Sequence, residues 1–212
     1  MKKKTRLPVA PEGWPFILVP AAVAAGLALT GRRRLALSFA GAAAVSLGFF
    51  RDPEREIPTL QNAVLSPADG RVTEVTETED PFVGPAVRVA IFLSPLDVHV
   101  NRAPISALVV GVSHRRGRFV AAYRPGAHES NERCAVQLQG ETARVTVVQI
   151  AGMVARRIVC RVSPGDKLAA GERFGMIRFG SRTDCYVPRG TEIRVRTGDH
   201  VTGGTSVIGV LA

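Results

Sequence analysis

The hydrophobic pattern of this chain changes near residue 56. Before that point lie two stretches, 14–30 and 35–50, that are apolar on nearly every position; GRRR (31–34) separates them and RDPE (51–54) follows. Segments without a polar face predict helices buried on all sides or placed in lipid. They are 17 and 16 residues long, and a full membrane span needs about 20, with roughly 17 as the lower limit. The reading is a membrane-inserted or monotopic helical hairpin over residues 1–56, with a buried hairpin of a soluble protein as the alternative. Basic residues flank both ends and the middle, so charge gives no clean orientation. A signal peptide fits poorly, because a second apolar block follows the first.

From about Pro58 onward the period is two. RVTEV (71–75), VRVAIF (87–92), VTVVQ (145–149), IVCRV (158–162) and EIRVR (192–196) alternate, and Gly and Pro interrupt them at short intervals. That pattern predicts an all-β sandwich or barrel over residues 57–212. A weak repeat sits within it: GDKLAAG (165–171) returns 33 residues later as GDHVTGG (198–204), each copy between two β-type runs. Gly at a positive-φ position and Asp capping a turn are what such a loop requires. The repeat resembles the turn of biotinyl/lipoyl-type barrel-sandwich modules. Those carriers need a lysine in the hairpin between the halves; this chain has Gly180-Ser181 there. The fold class expected is therefore mainly β, a barrel-sandwich domain behind an N-terminal hydrophobic helical hairpin.

Charge narrows the partners. The formal net charge is +10, which favours an anionic surface. Aromatic residues are few and no nucleic-acid motif is present, so anionic lipid is preferred over nucleic acid. Cys134, Cys160 and Cys185 are widely spaced and odd in number, which predicts neither a zinc site nor a disulfide framework. Of the 28 basic residues only Lys2, Lys3, Lys4 and Lys167 are lysines. A Schiff-base or pyridoxal phosphate enzyme needs a positioned lysine, so any amine chemistry here must draw its carbonyl from another source.

Three blocks carry candidate chemistry: SPADG (66–70), SPLDVHVNRAP (94–104) and RFGSRTDCYVP (178–188). Gly180-Ser181 alone reads as a hairpin turn, Asp69 as a turn aspartate and His99 as a half-buried strand residue. Asp97 and His99 are two apart, so in a strand they share a face, and the carboxylate would orient the imidazole and raise its pKa. Together the blocks, with FFRDPER (49–55) and NER (131–133), resemble the short form of the phosphatidylserine decarboxylase family over most of residues 47–212.

The resemblance implies that Ser181 Oγ attacks the Gly180 carbonyl. The resulting ester eliminates to dehydroalanine, and hydrolysis leaves a pyruvoyl group and ammonia. The products would be a β chain (1–180) and an α chain (181–212), held as a heterodimer. Asp69 matches the family's self-cleavage aspartate and His99 its decarboxylation histidine. The second histidine of the longer members falls on Arg102, which cannot act as a base. Either His99 serves both steps, or Asp69 and local strain suffice for the cut. The resemblance further implies that phosphatidylserine is decarboxylated to phosphatidylethanolamine at the cell membrane, with the pyruvoyl group as cofactor and neither metal nor pyridoxal phosphate; the absence of a disulfide framework fits the reducing, cytoplasmic side. Arg102 and Arg182, nearest the motifs, are the candidates for the substrate phosphate. A membrane-anchored adaptor without catalysis also fits the hairpin and the repeat, though not the coincidence of Asp69, His99 and Gly180-Ser181. A metallopeptidase would need closely spaced histidine ligands, which are absent.

Overall fold

A computed structural model describes residues 8–118, 120, 130–152, 157–178 and 181–212. The chain divides into two compact units, 1–54 and 55–212.

In the first unit, α1 (Trp14–Leu29) and α2 (Arg33–Phe49) pair as a hairpin. Its open end is closed by Ala10 N–H on the Phe50 carbonyl and Asp52 N–H on the Pro8 carbonyl, both at 2.8 Å. Phe16 stacks on Phe50 with ring centroids 5.3 Å apart, and Phe49 meets Phe50 edge-on. Most other large apolar side chains are exposed, including Leu18, Val19, Leu29, Leu37 and Val45. With the short turn before α1, the helical stretch Pro11–Leu29 has 19 residues and a mean hydropathy of 1.5, long and apolar enough to cross a membrane.

The second unit is mainly β, as its period-two runs predict. Its strands are β1 (Ala63–Leu65), β2 (Gly70–Asp80), β3 (Gly84–Leu93), β4 (Val100–Arg102), β5 (Ala107–Arg115), β6 (Arg133–Gln139) and β7 (Arg144–Ile150). There follow β8 (Ile158–Cys160), β9 (Lys167–Leu168), β10 (Arg173–Ile177), β11 (Ser181–Pro188), β12 (Glu192–Ile193), β13 (His200–Val201) and β14 (Val207–Val210). Eight form a curled antiparallel sheet in the order β13-β2-β3-β11-β7-β6-β5-β9; two three-stranded sheets, β1-β14-β12 and β4-β10-β8, complete the unit. The core lies between them, filled by the inward positions of β3, β6, β7 and β11 such as Ile91, Leu138, Val147 and Cys185.

The short repeat seen in the sequence is one part of an internal twofold. The Val72 N–H donates to the Asp199 carbonyl and the Gly198 N–H to the Val72 carbonyl; Val109, Asp166 and Gly165 repeat both bonds, and all four are 2.8 Å. The rungs Arg71↔His200 and Gly70↔Val201 recur as Leu108↔Lys167 and Ala107↔Leu168. A bulge follows Val72 in β2 and the equivalent Val109 in β5. The loop glycines match as well: φ is 99° and 102° at Gly165 and Gly198, and 76° and 75° at Gly171 and Gly204, a region that disfavours every residue with a side chain. The larger sheet reads the same from either end under this relation, β13-β2-β3-β11 against β9-β5-β6-β7. Residues of the first half therefore have structural counterparts in the second: Leu65 in Arg102, Val64 in Asn101, Asp69 in Ser106.

Candidate functional site

Ser181 is the first residue of β11, central in the large sheet, with β3 on one side and β7 on the other. It is paired with Leu93, the last residue of β3, and its neighbour Arg182 with Phe92 and Ile150. Alternation along β11 puts Ser181 and Thr183 on the same face as Cys185 and Val187, toward the core. Ser181 is fully buried, and its Oγ has no hydrogen-bond partner among the described residues. A buried hydroxyl left without a partner costs about 1–3 kcal/mol, which a reactive group can repay in function. Gly180 lies outside the described residues, as does His128.

His99 reaches this region because β3 ends opposite Ser181. The chain leaves Leu93 through a turn in which the Ser94 N–H donates to Asp97 Oδ2 at 2.7 Å and the Asp97 N–H to the Ser94 carbonyl at 3.0 Å. Residues 94–99 are thus a turn and not a strand, which corrects the expectation that Asp97 and His99 share a strand face. The Asp97 carboxylate caps its own turn. His99 Nδ1 instead lies 2.9 Å from the Asp97 carbonyl. A carbonyl can only accept, so Nδ1 carries the hydrogen of this bond and Nε2 is left as the second ring nitrogen. The ring is fully buried, and the His99 carbonyl accepts the Ile177 N–H at 3.2 Å, tying it to the end of β10.

Asp69 precedes β2. Two strand spacings separate β2 from β11, about 10 Å, and β3 runs between them, so the 94–99 turn leaves the sheet between Asp69 and Ser181. Gly70 permits this arrangement: its φ is 142°, and a Cβ there would lie 2.1 Å from the Phe92 carbonyl oxygen. Asp69 Oδ1 accepts the Gly203 N–H at 2.8 Å, and Oδ2 accepts Arg55 Nη2 at 2.8 Å. Burial pushes the Asp69 carboxyl above its ordinary range; the Gly203 N–H and the Arg55 guanidinium pull it down, and the Asp97 carboxylate adds to the rise. In the other half of the twofold, Ser106 Oγ accepts the Ala170 N–H at 3.0 Å. Capping that loop needs one oxygen, which a serine supplies. The second oxygen of Asp69 is what this half has in addition.

Arg102 is buried, with Nη1 3.1 Å from the Gly171 carbonyl and its Cδ against Gly204, so it meets both repeat loops. Arg182 points to the opposite face of the sheet from Ser181 and is doubly bonded to Asp184, at 2.5 and 3.0 Å. Arg88 and Glu74 extend that ion-pair chain. A cavity of about 380 Å³ lined by Arg88, Asp184, Tyr186, Thr146 and Gln137 lies on that outer face, on the far side of the sheet from the Ser181 side chain.

Sequence reasoning passed over three residues beneath Ser181. Asn101 Nδ2 donates to Thr183 Oγ1 at 3.0 Å and lies 3.4 Å from the Pro67 carbonyl; Gln149 Nε2 donates to Asn101 Oδ1 at 2.9 Å. All three side chains are fully buried. The pair PxDxxV at 67–72 and PxSxxV at 104–109 is the signal that Asp69 has a structural counterpart in Ser106; Arg55, on Asp69 Oδ2, has no such signal in the sequence.

Comparison with known proteins adds the following. The family model described as phosphatidylserine decarboxylase matches residues 43–209. A phosphatidylserine decarboxylase proenzyme of Mycobacterium sp. (strain KMS) is 46% identical over 219 residues, covering 99% of this chain and 91% of its own. One of Burkholderia pseudomallei (strain K96243) is 43% identical over 205 residues, covering 96% and 95%. One of Mycobacterium marinum (strain ATCC BAA-535 / M) is 45% identical over 219 residues, covering 97% and 88%.

Proposed function

The chain belongs to the phosphatidylserine decarboxylase family, and from that premise we propose that it is made as a proenzyme, cuts itself between Gly180 and Ser181, and decarboxylates phosphatidylserine through a pyruvoyl group formed from Ser181. The observation that carries the reading is Ser181 itself: a fully buried serine at the start of a central strand, with a hydroxyl that no described residue engages.

In the cut, Ser181 Oγ adds to the Gly180 carbonyl. The C–N bond breaks as the C–O bond forms, and the freed amine takes the hydroxyl proton. Loss of the Ser181 α-proton then expels the Gly180 carboxylate, and water releases ammonia, leaving the ketone. Asp69 is the group that accepts a proton in this sequence, and its burial suits it to do so above the usual carboxylate range. The pyruvoyl carbonyl supplies the acceptor for the substrate amine and for the electron pair left by CO2. His99 holds a proton at Nε2 for delivery to the carbon that lost the carboxyl, its ring oriented by the Nδ1–H bond to the Asp97 carbonyl. A phosphate at Arg102 or Arg182 would have to share the guanidinium with Gly171 or Asp184.

After the cut, residues 181–188 remain laddered to β3 and β7, which supports a heterodimer of residues 1–180 and 181–212. The exposed apolar side chains of α1 and α2, with Arg32, Arg33 and Arg34 where α2 begins, support peripheral or monotopic attachment to an anionic membrane, each basic residue near the surface adding about 1 kcal/mol; the cytoplasmic side is the face we propose. Intact-mass spectrometry of the purified protein tests the central claim. Two chains are expected, the shorter lighter by one ammonia than a free N-terminal serine would make it. A single uncut chain that still decarboxylates phosphatidylserine would overturn the reading.

A further inference from the structure

The internal twofold supplies a control for polar residues on its matched strands. Ile91 of β3 corresponds to Leu138 of β6, since each pairs with the residue that precedes the matched bulge, Val72 or Val109. Their ladder partners, Thr183 and Val145, therefore correspond. By the same step Cys134 corresponds to Val87, and their partners Gln149 and Val187 correspond. Asn101 corresponds to Val64: each is the middle residue of its short strand, and each faces a glycine, Gly175 or Gly209. So the hydrogen-bonded trio Asn101, Thr183 and Gln149 occupies the places held by Val64, Val145 and Val187 in the other half. Those three valines are buried in the main apolar core. In that half the fold is satisfied by valine at all three places.

We propose that Asn101 is a positioning residue: through Thr183 it fixes residue 181 relative to His99, for the cut and for turnover. The connections are direct. Thr183 shares the inner face of β11 with Ser181, two residues away. Asn101 is two residues from His99 along the chain. Gln149 donates to Asn101 Oδ1 and so settles which end of the amide faces Thr183. The Pro67 carbonyl brings in the loop that carries Asp69. The bond from Asn101 to Thr183 also crosses the proposed cut, joining residues 1–180 to 181–212. The bonds of the trio run in one direction, from Gln149 through Asn101 to Thr183, with Gln149 Oε1 the one buried polar atom of the trio left without a partner among the described residues. A directional chain of this kind restricts geometry more than apolar packing does. A displacement of about 1 Å at a reacting group costs on the order of 100-fold in rate.

The inference rests on the reading that residue 181 carries the reactive carbonyl, and the test separates the two. Asn101→Val, Thr183→Val and Thr183→Ser are purified beside the parent in detergent. For each, the cut fraction is read by intact mass, melting temperature by thermal unfolding, and kcat and KM by CO2 release from phosphatidylserine in mixed micelles. Both valine variants are expected to fold, to cut slowly, and in their cut fraction to show kcat lowered by about 100-fold with KM within twofold. Thr183→Ser, which keeps the hydroxyl, is expected within threefold of the parent. Parent-like cutting and kcat in Asn101→Val overturns the proposal. So does failure of both valine variants to accumulate as folded protein, because the trio is then structural. An uncut but active parent is a different result, which removes the pyruvoyl reading itself.

Discussion

Replacing Asp69 by serine separates the fold from the chemistry at that position, because the twofold has already placed a serine in the equivalent site. Ser106 Oγ caps its loop by accepting the Ala170 N–H at 3.0 Å, as Asp69 Oδ1 accepts the Gly203 N–H at 2.8 Å. Asp69→Ser keeps an oxygen for Gly203 and loses the one that pairs with Arg55. The ion pair is partly hydrated, with side chains 16% and 20% exposed, so its loss costs about 0–1 kcal/mol. Exchanging a charged for a neutral acceptor costs about 1 kcal/mol more, and part of this is returned because a carboxylate no longer has to be desolvated. A net loss of about 1 kcal/mol lowers the melting temperature by roughly 2–4 °C in a domain of this size. Self-cleavage, deprived of its proton acceptor, is expected to slow by at least about 100-fold. Thermal unfolding and intact mass over a time course read the two effects, with Ser106→Ala as the control that loses the other cap and still cuts. A folded Asp69→Ser chain that cuts at the parental rate would refute the role of Asp69. A chain that does not fold would refute the equivalence with Ser106.

Further expectations concern charge, space and substrate. Two opposite charges face the Asp69 carboxyl, Arg55 lowering and Asp97 raising its pKa; a raised pKa leaves less of the ionised base at a given pH. Arg55→Met is therefore expected to move the acid limb of the cleavage-rate profile to higher pH and Asp97→Asn to lower pH, and movement in the same direction would contradict the assignment. Gly70→Ala places a Cβ 2.1 Å from the Phe92 carbonyl oxygen at a φ of 142°; loss of several kcal/mol is expected, read as failure to accumulate folded, cut protein. Arg102→Leu restores the residue found at the equivalent Leu65, so the fold is expected to persist, and a role in holding the phosphate is expected to appear as about a tenfold rise in KM with kcat retained. An unchanged KM removes Arg102 from the substrate site.

Local periodicity made much of this legible. Apolar runs without a polar face marked the two helices, alternation marked the long strands β2, β3 and β7, and the GDKLAAG/GDHVTGG pair marked one turn of a twofold body. Alternation overstated strand length: the run at 192–196 is strand only over Glu192–Ile193 and the run at 158–162 only over Ile158–Cys160, with one further backbone bond beyond each, from the Arg194 N–H to the Ile208 carbonyl and from the Arg161 N–H to the Phe174 carbonyl. Alternation also failed at Asp97 and His99, where a side-chain cap on Ser94 replaced the strand with a turn.

By itself the sequence determined the two materials of the chain, the β class of the larger unit, and the family, through Asp69, His99 and the Gly180-Ser181 setting. Each of these depends on residue types at short spacing, and short spacing is what backbone geometry reads directly. Only the tertiary structure decided which polar residues serve the site. Asn101, Thr183 and Gln149 stand far apart in sequence, and each alone is an ordinary strand residue. They become a network because long-range pairing of β4, β7 and β11 brings them under Ser181, while the same pairing in the other half brings three valines together. Burial without water forces polar groups so gathered to bond one another, a constraint that exists only once the chain has closed on itself.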